Sequence, residues 1–580
     1  MSSKQSFART LVTSALPYAN GHIHLGHIAG AYLPADIYVR YKRLRGHPVL
    51  FIGGSDEYGV PITLTALKEG TTPQEVIDKY HAANAQAFAQ LGISYDLYGR
   101  TCWPIHTETV HSFFLNLYNK GHVDKREMEL WYSEQSDRFL PDRYVRGTCP
   151  KCGFDEATGD ECENCGAQYS THDLINPRAN IPGDASTPIL RKSAHWFLKL
   201  DDFTDRLRAW LDTHPEWRSN VKGIARSWVD DLRARCITRD TDWGVTIPLD
   251  DPDAQGKRFY VWFDNAIGYV TNTRQWGIDK HGDADAWEPW WKSPDTRLLH
   301  FIGKDNVPFH AVMFPCYLMA QDGFILADNV LGNEYLNVFN RQKGKAEKGS
   351  KSKGNMISVR WMVSKVKSDV IRYYLCAIMP ETHDAAFDWD EFMNRYNGEL
   401  CDVVGNFAHR VLTMTHKNFD AKVPEPGALD EDDNAMLAYI PEQVDAIGEA
   451  LDGFRFRLAL ERFIDLGRRA NQYFDAKQPW ATRKTDLERT ATTLYVSCQV
   501  VHALCYTMAP FMPEGARQLA AFFDAALPNG GPDGGKDGWE LAKRPLAAGT
   551  PLDKPVVLFP KLDKDELADL AAQHEQGKAF

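Results

Sequence analysis

The chain has 580 residues, 43% of them hydrophobic and 25% charged, and a formal net charge of −12. That length accommodates two or more domains with sizeable cores. The negative balance excludes a surface coated with basic residues for indiscriminate nucleic-acid binding, and no apolar run approaches the ~20 residues of a membrane-spanning helix. Eleven cysteines are too few for a secreted disulfide framework, and the opening MSSKQSFART lacks the apolar stretch of a signal peptide. Reducing cytoplasm is therefore the expected compartment.

From Arg9 to about Gly92 apolar strand patterns alternate with helix patterns. The run Thr10 to Ala15 leads through the turn Pro17-Tyr18-Ala19-Asn20-Gly21 to His24-Leu25-Gly26-His27. Val49 to Ile52 reads as a buried parallel strand ended by Gly53-Gly54, and Pro73 to Gln90 as a helix. Such alternation implies a doubly wound α/β sheet with ligands at the carboxyl ends of its strands. If a helix starts at the HxGH segment, His24 and His27 share one face. Gly26 leaves room for a ring against backbone. A helix start favours anions, and two imidazoles there could donate to phosphoryl oxygens as charge builds. The plain alternative is a helix start without a ligand.

From about Thr101 to Asp250 the composition changes to turn residues, tryptophans and two C-x2-C knuckles, Cys149/Cys152 and Cys162/Cys165. An inserted domain is expected here. Four thiolates at this spacing close a tetrahedral shell with no position left for water, which points to one structural zinc. A redox pair and a chance cluster are the alternatives. The strand pattern resumes with Phe259 to Phe263 and Leu298 to Gly303. Next comes a basic loop, Lys348-Gly349-Ser350-Lys351-Ser352. A loop of this kind can close over a departing pyrophosphate, with its ammonium groups and hydroxyls as partners. Its alternative is a solvated charge run.

From about Val370 the chain reads as helical, with helical spacing in Ala435 to Ile447 and Phe454 to Phe474. Pro424-Glu425-Pro426-Gly427 breaks two helices, and Pro528 to Gly538 reads as a surface loop or linker. A charged helical tail begins near Lys561. The expected division is 1–115 and 251–340 as two halves of a Rossmann-like catalytic domain, with 116–250 as the zinc-knuckle insertion. Residues 341–390 are expected to hold the basic loop, 391–560 an all-α bundle and 561–580 the tail; the family resemblance described next implies stem contact for 341–390 and anticodon binding for 391–560.

The run Ala15 to Gly21 into HIHLGH closely resembles the class I aminoacyl-tRNA synthetases, and within them the methionyl-tRNA synthetase family. The likeness continues through Arg45-Gly46-His47, Gly54 to Gly59, the cysteine knuckles, Val261 to Asp264, Phe301 to Asp305, KGSKS and Gln478-Pro479-Trp480. It covers nearly the whole chain. What it implies is an ATP-dependent ligase that activates L-methionine and transfers it to tRNA(Met), the initiator included. The catalytic positions would be His24, Gly26, His27, Lys348 and Lys351, with His24, His27, Ser350, Lys351 and Ser352 on ATP and its Mg2+. The methionine pocket would comprise Leu16, Tyr18, Asp56, Trp262, Tyr269 and His310. In it Asp56 holds the α-ammonium, and Trp262 and Tyr269 lie beside the thioether. Asn406 and Arg410, four apart on a helix face, with Trp480 as a stacking platform, match the family's anticodon readers.

The chain departs from the family pattern at Gly349, at Lys353, at Asn265-Ala266 (where Ala-Pro is usual) and at Asn306. A monomer is expected, since no oligonucleotide-binding barrel follows. Three rival readings remain: a nucleotidylyltransferase without an RNA partner, a zinc-bearing RNA-binding protein without catalysis, and a sister synthetase for another amino acid.

Overall fold

Five apolar segments pair into one parallel sheet: β1 (Arg9–Ser14), β2 (Val49–Ser55), β3 (Leu97–Arg100), β4 (Thr296–Gly303) and β5 (Asn329–Asn333). Their order is β5-β4-β1-β2-β3, with Val12 of β1 opposite Phe51 on one side and Leu299 on the other. The strands are nearly continuous apolar runs because both faces of a parallel sheet are covered; Leu11, Val12, Leu50, Phe51, Leu298 and Leu299 are fully buried. The computed structural model describes residues 7–580 except 160, 161, 163, 166, 168, 185, 342, 350–353 and 526.

Two short segments differ from the sequence reading. Gly53 and Gly54 do not end β2; the strand runs through both. A Cβ on Gly53 would collide with the Tyr95 ring, and one on Gly54 with the Asn272 amide, so these glycines serve close packing inside the sheet. Phe259 to Phe263 is not one strand. A short strand, Lys257–Phe259, ends there, and a long helix starts at Val261. An apolar run this short carries no period that separates the two conformations.

The chain leaves β1 through a short helix, α1 (Leu25–His27), and a π-helical turn, Ile28–Tyr32, into the helix Leu33–Leu44. Between β3 and β4 lies the insertion. It is built on an antiparallel pair, Val123–Ser133 with Ile189–Leu198, and the cysteine knuckles have their own small core with Val145 and Ala157. The 21-residue helix α2 (Val261–His281) then returns to the sheet.

The carboxyl-terminal half packs as helices: α3 (Asn406–Asn418), α4 (Glu431–Asp452), α5 (Phe456–Lys477) and α6 (Leu487–Met508). From Thr490 to its end, α6 is buried except at Tyr495. Arg372 ties this half to the sheet domain. Its guanidinium lies 2.7 Å from Asp36 on helix Leu33–Leu44 and donates to the carbonyls of Gly92, Pro510 and Phe511 at 3.3, 3.1 and 2.8 Å. Burial alone would raise the Asp36 carboxyl; the Arg40 and Arg372 charges outweigh that and hold it at about 2.

The glycine-rich segment 528–538 is a docked loop rather than a free linker. Gly530, Gly535 and Gly538 N–H groups donate to the carbonyls of Arg43, Gly46 and Leu44 at 3.2, 2.9 and 2.7 Å. The tail helix Lys564–Glu575 docks as well. The Trp389 indole donates to His574 Nδ1 at 3.3 Å, and His574 Nε2 donates to the Asn355 carbonyl at 3.1 Å. No described helix is long and apolar enough to cross a membrane.

Candidate active site

The strand order reverses direction on either side of β1, between β2 and β4, where a doubly wound sheet leaves its ligand crevice. A cavity of about 380 Å³ opens there. Its wall takes Ala15 to Tyr18 from beyond β1, Asp56 from beyond β2, Gly303 and Asp305 from β4 and just beyond it, and Glu334 from beyond β5. His24, Gly26 and His27 line the same cavity as Lys348 and Gly349. The two distant signature segments therefore share one cleft.

Backbone pairing fixes that approach. Leu25 N–H donates to the Ile357 carbonyl and Val359 N–H to the Ile23 carbonyl, both at 3.0 Å, and Ser358 N–H donates to the Ala579 carbonyl at 2.8 Å. The residues that follow the basic loop are thus laid against the HxGH segment, with the tail on their other side.

His24 is the N-cap of α1, in extended conformation at φ −126°. Its Nδ1 accepts from Gly26 N–H at 3.1 Å, and its own N–H donates to His27 Nδ1 at 3.3 Å. The two rings stack at 3.7 Å between centroids. Because each Nδ1 accepts, each neutral ring carries its proton on Nε2. A Cβ on residue 26 would lie 2.9 Å from His24 Cε1, so any larger residue would push this ring from its place. Lys348 Nζ sits 4.8 Å from the centre of the Tyr335 ring. A Cβ on Gly349 would meet Met356 at an ordinary 3.5 Å, so Met356 packs beside the position where the loop lacks a side chain. Ser350, Lys351 and Ser352 lie outside the described residues.

Leu16, Tyr18, Asp56, Trp262 and His310 also line the cavity. Trp262 stacks flat on Phe309 at 3.6 Å and meets Tyr18 edge-on at 6.4 Å. Tyr269 is not at the wall; it is fully buried behind it and bonds His310 Nε2 at 2.8 Å. His310 Nδ1 donates to the Asn306 carbonyl at 3.0 Å, so Nε2 must accept from the Tyr269 hydroxyl. Burial pushes His310 down to about 4, which keeps the ring neutral. Asp56 is 1% exposed. Burial, and then the Asp264 carboxyl, push its own carboxyl well above the usual range. Asp264 in turn lies 3.3 Å from His106, an imidazole that burial holds at about 3. Sequence reasoning missed Phe309 and His106 as neighbours of this wall; Asp264 was visible there only as part of a family segment and Asn265 only as a departure from it.

The four cysteines of the insertion come together with all sulfurs within 4.8 Å of one another. Cys149 and Cys165 are 4.0 Å apart, and Cys152 and Cys162 3.7 Å. A tetrahedron with metal–sulfur bonds of ~2.3 Å has edges of about 3.8 Å, so the four thiols are arranged to hold one metal ion.

On the helical half, the Arg410 guanidinium lies 4.8 Å from the Phe474 ring centre and 5.4 Å from that of Trp480, and it pairs with Asp475 at 2.8 Å. Asn406, one turn earlier on α3, donates to Asp402 at 2.9 Å. Trp480 is 40% exposed. The three residues share one surface.

Comparison with known proteins follows the same division. Residues 10–412 match the family described as tRNA synthetases class I (M), and residues 423–579 match the anticodon binding domain of methionyl tRNA ligase. The methionine–tRNA ligase of Porphyromonas gingivalis is 44% identical over 578 residues, which cover 99% of this chain and 81% of the relative. That of Salinibacter ruber is 42% identical, covering 99% and 83%. The Mycobacterium tuberculosis methionyl-tRNA synthetase solved with methionyl-adenylate superposes with a TM-score of 0.78 at 28% identity, covering 95% of this chain and 99% of that one. A parallel sheet with HxGH and a basic loop in one cleft, a four-thiol knuckle and a carboxyl-terminal helical bundle, together with these matches, lead to one conclusion: the chain belongs to the methionyl-tRNA synthetase family of class I tRNA synthetases.

Proposed function

We propose that this protein ligates L-methionine to tRNA(Met), the initiator included, as a monomer in the cytoplasm. The observation that carries the reading is a single cavity at the strand carboxyl ends, lined by His24, His27 and Lys348 together with Asp56 and Trp262. The methionine carboxylate attacks the α-phosphorus of Mg-ATP, the bond to the β-phosphate breaks, and pyrophosphate leaves. A terminal ribose hydroxyl of the tRNA then attacks the carbonyl carbon of methionyl-adenylate, and AMP departs. The protein's part is to position reactants and neutralise charge. His24 and His27 donate from Nε2 to phosphoryl oxygens. Lys348 and Lys351, with Ser350 and Ser352, hold the pyrophosphate.

Asp56 accepts the α-ammonium, with the Leu16 carbonyl beside it. Tyr18, Trp262 and His310 form the wall for the thioether, and Tyr269 holds His310 in its accepting tautomer. An unbranched, polarizable side chain suits such aromatic surroundings. Cys149, Cys152, Cys162 and Cys165 would hold zinc. When bound, it cross-links the knuckle and takes no part in the reaction, since four thiolates leave no open position. Asn406, Arg410 and Trp480 read the anticodon, with Trp480 stacking on an unpaired base.

The test is ATP–pyrophosphate exchange with methionine, leucine and cysteine in turn, followed by aminoacylation of tRNA(Met). Exchange supported by methionine alone, with charging of that tRNA, is the expected result. Exchange without charging would support the nucleotidylyltransferase reading, and exchange with another amino acid the sister-synthetase reading.

A further inference from the structure

Asp56 follows directly after β2, and its backbone is clamped: its N–H donates to the Pro17 carbonyl at 2.9 Å, and its carbonyl accepts from Ala19 N–H at 2.8 Å. Among the described residues its side chain has two donors. The Tyr58 N–H reaches Oδ1 at 3.4 Å, and the Asn265 amide reaches Oδ2 at 2.6 Å. Asn265 stands one turn into α2, is 4% exposed, and lines the cavity beside Asp56. The Tyr58 contact is long for a hydrogen bond, so the Asn265 amide is the principal donor that orients this carboxylate. With the alanine usual in the family at this position, that donor does not exist.

The other groups around Asp56 do not help its charge. The Asp264 and Glu57 carboxyls both oppose it, although Glu57 is drawn off by Arg100 at 2.8 Å. The Tyr18 and Tyr269 phenols are neutral, with burial raising both, and the His310 and His106 rings are neutral too. With no cationic neighbour among the described residues, a buried carboxylate tends to take up a proton, and a protonated Asp56 cannot pair with an ammonium group. We propose that Asn265 is a positioning residue for the amino-acid step: its amide holds the Asp56 carboxylate turned into the cavity, ready for the α-ammonium of the incoming amino acid. This rests on the reading of Asp56 as the ammonium anchor.

The test is methionine-dependent ATP–pyrophosphate exchange on the full-length chain. Asn265→Ala, Asn265→Asp and Asp56→Asn are each measured for KM of methionine, KM of ATP and the pH profile of kcat/KM. Loss of one charge-assisted hydrogen bond raises the methionine KM of Asn265→Ala about tenfold and leaves that of ATP unchanged. Its acid limb moves to higher pH, because the lost donor favoured the charged form of Asp56. Asn265→Asp keeps the shape, removes the donor and adds a facing carboxyl, so its acid limb moves further.

Several outcomes overturn the proposal. A methionine KM within about twofold of the parent with an unmoved acid limb removes Asn265 from the role. An equal rise in both KM values makes it a fold residue. If Asp56→Asn abolishes methionine binding while Asn265→Ala changes neither readout, only this inference falls. If Asp56→Asn binds methionine normally, the ammonium reading falls and takes this inference with it.

Discussion

The cleft wall and the Trp480 face both combine a tryptophan with a charged group, but they are built for different surroundings. In the cleft Trp262 is stacked on Phe309 and Asp56 is 1% exposed. On the helical half Trp480 is 40% exposed, and Arg410 is shared between two rings and Asp475. Folding takes the Asp56 side chain almost wholly out of water, so charge there acts through a weak dielectric and responds to pH. The second site is open to water, so its charges are screened by salt. On the proposed reading, a small zwitterion meets a preformed wall, whereas a large polyanion meets a surface that is still solvated and already satisfied by intramolecular bonds.

Four experiments sharpen or break that contrast. The largest effect is expected at the joint between the two halves. Asp36→Asn leaves the buried Arg372 charge without its carboxylate, at a cost of about 3–5 kcal/mol in urea unfolding. The sign of the pH dependence follows from a folded value of about 2, below the ordinary 3.8. The contribution is fully present above about pH 4 and is lost as pH falls toward about 2. An unchanged acid limb of stability would remove Asp36 from this role.

Next is His27→Ala. Losing one donor at the phosphoryl centre lowers kcat of exchange by about 10²–10³-fold without moving the unfolding midpoint. A parallel fall in midpoint would make the ring structural. Third, Trp480→Ala raises KM for tRNA by roughly 5–100-fold, the equivalent of one stacked base, and spares exchange; equal loss in both assays would erase the distinction between the two sites. The smallest effect belongs to Asp475→Ala. An exposed ion pair contributes about 0–1 kcal/mol, so stability barely changes, while raising salt should raise the tRNA KM and leave that of methionine alone.

Legibility in the sequence followed the range of the interactions. β1, the HxGH helix start, β4 and the long helices of the carboxyl-terminal half carry their signals locally, in apolar period and capping residues. Leu16, Asp56, Trp262 and His310 meet in one cavity, but their joint placement came from a family pattern, since nothing in local spacing brings together residues that far apart. What stayed hidden depended on who touches whom. Gly53-Gly54 looked like a strand end because a sequence does not show the Tyr95 ring against the first and the Asn272 amide against the second. The tail read only as a charged helix, because its anchors at Trp389, Asn355 and Ser358 are far away along the chain. The contact of Asn265 with Asp56 likewise crosses from one strand end to a helix more than two hundred residues later.

The backbone ladder between Ile23-Leu25 and Ile357-Val359 also bears on how the protein is made. Its two sides are more than three hundred residues apart, and chain synthesis runs at about 5–20 residues per second. An emerging HxGH segment therefore waits on the order of tens of seconds for the partner that fixes it. For most of that interval β1 also lacks β4, which begins only at Thr296. A nascent chain arrested before Ile357 is thus expected to be unable to retain nucleotide and to depend on shelter by a chaperone.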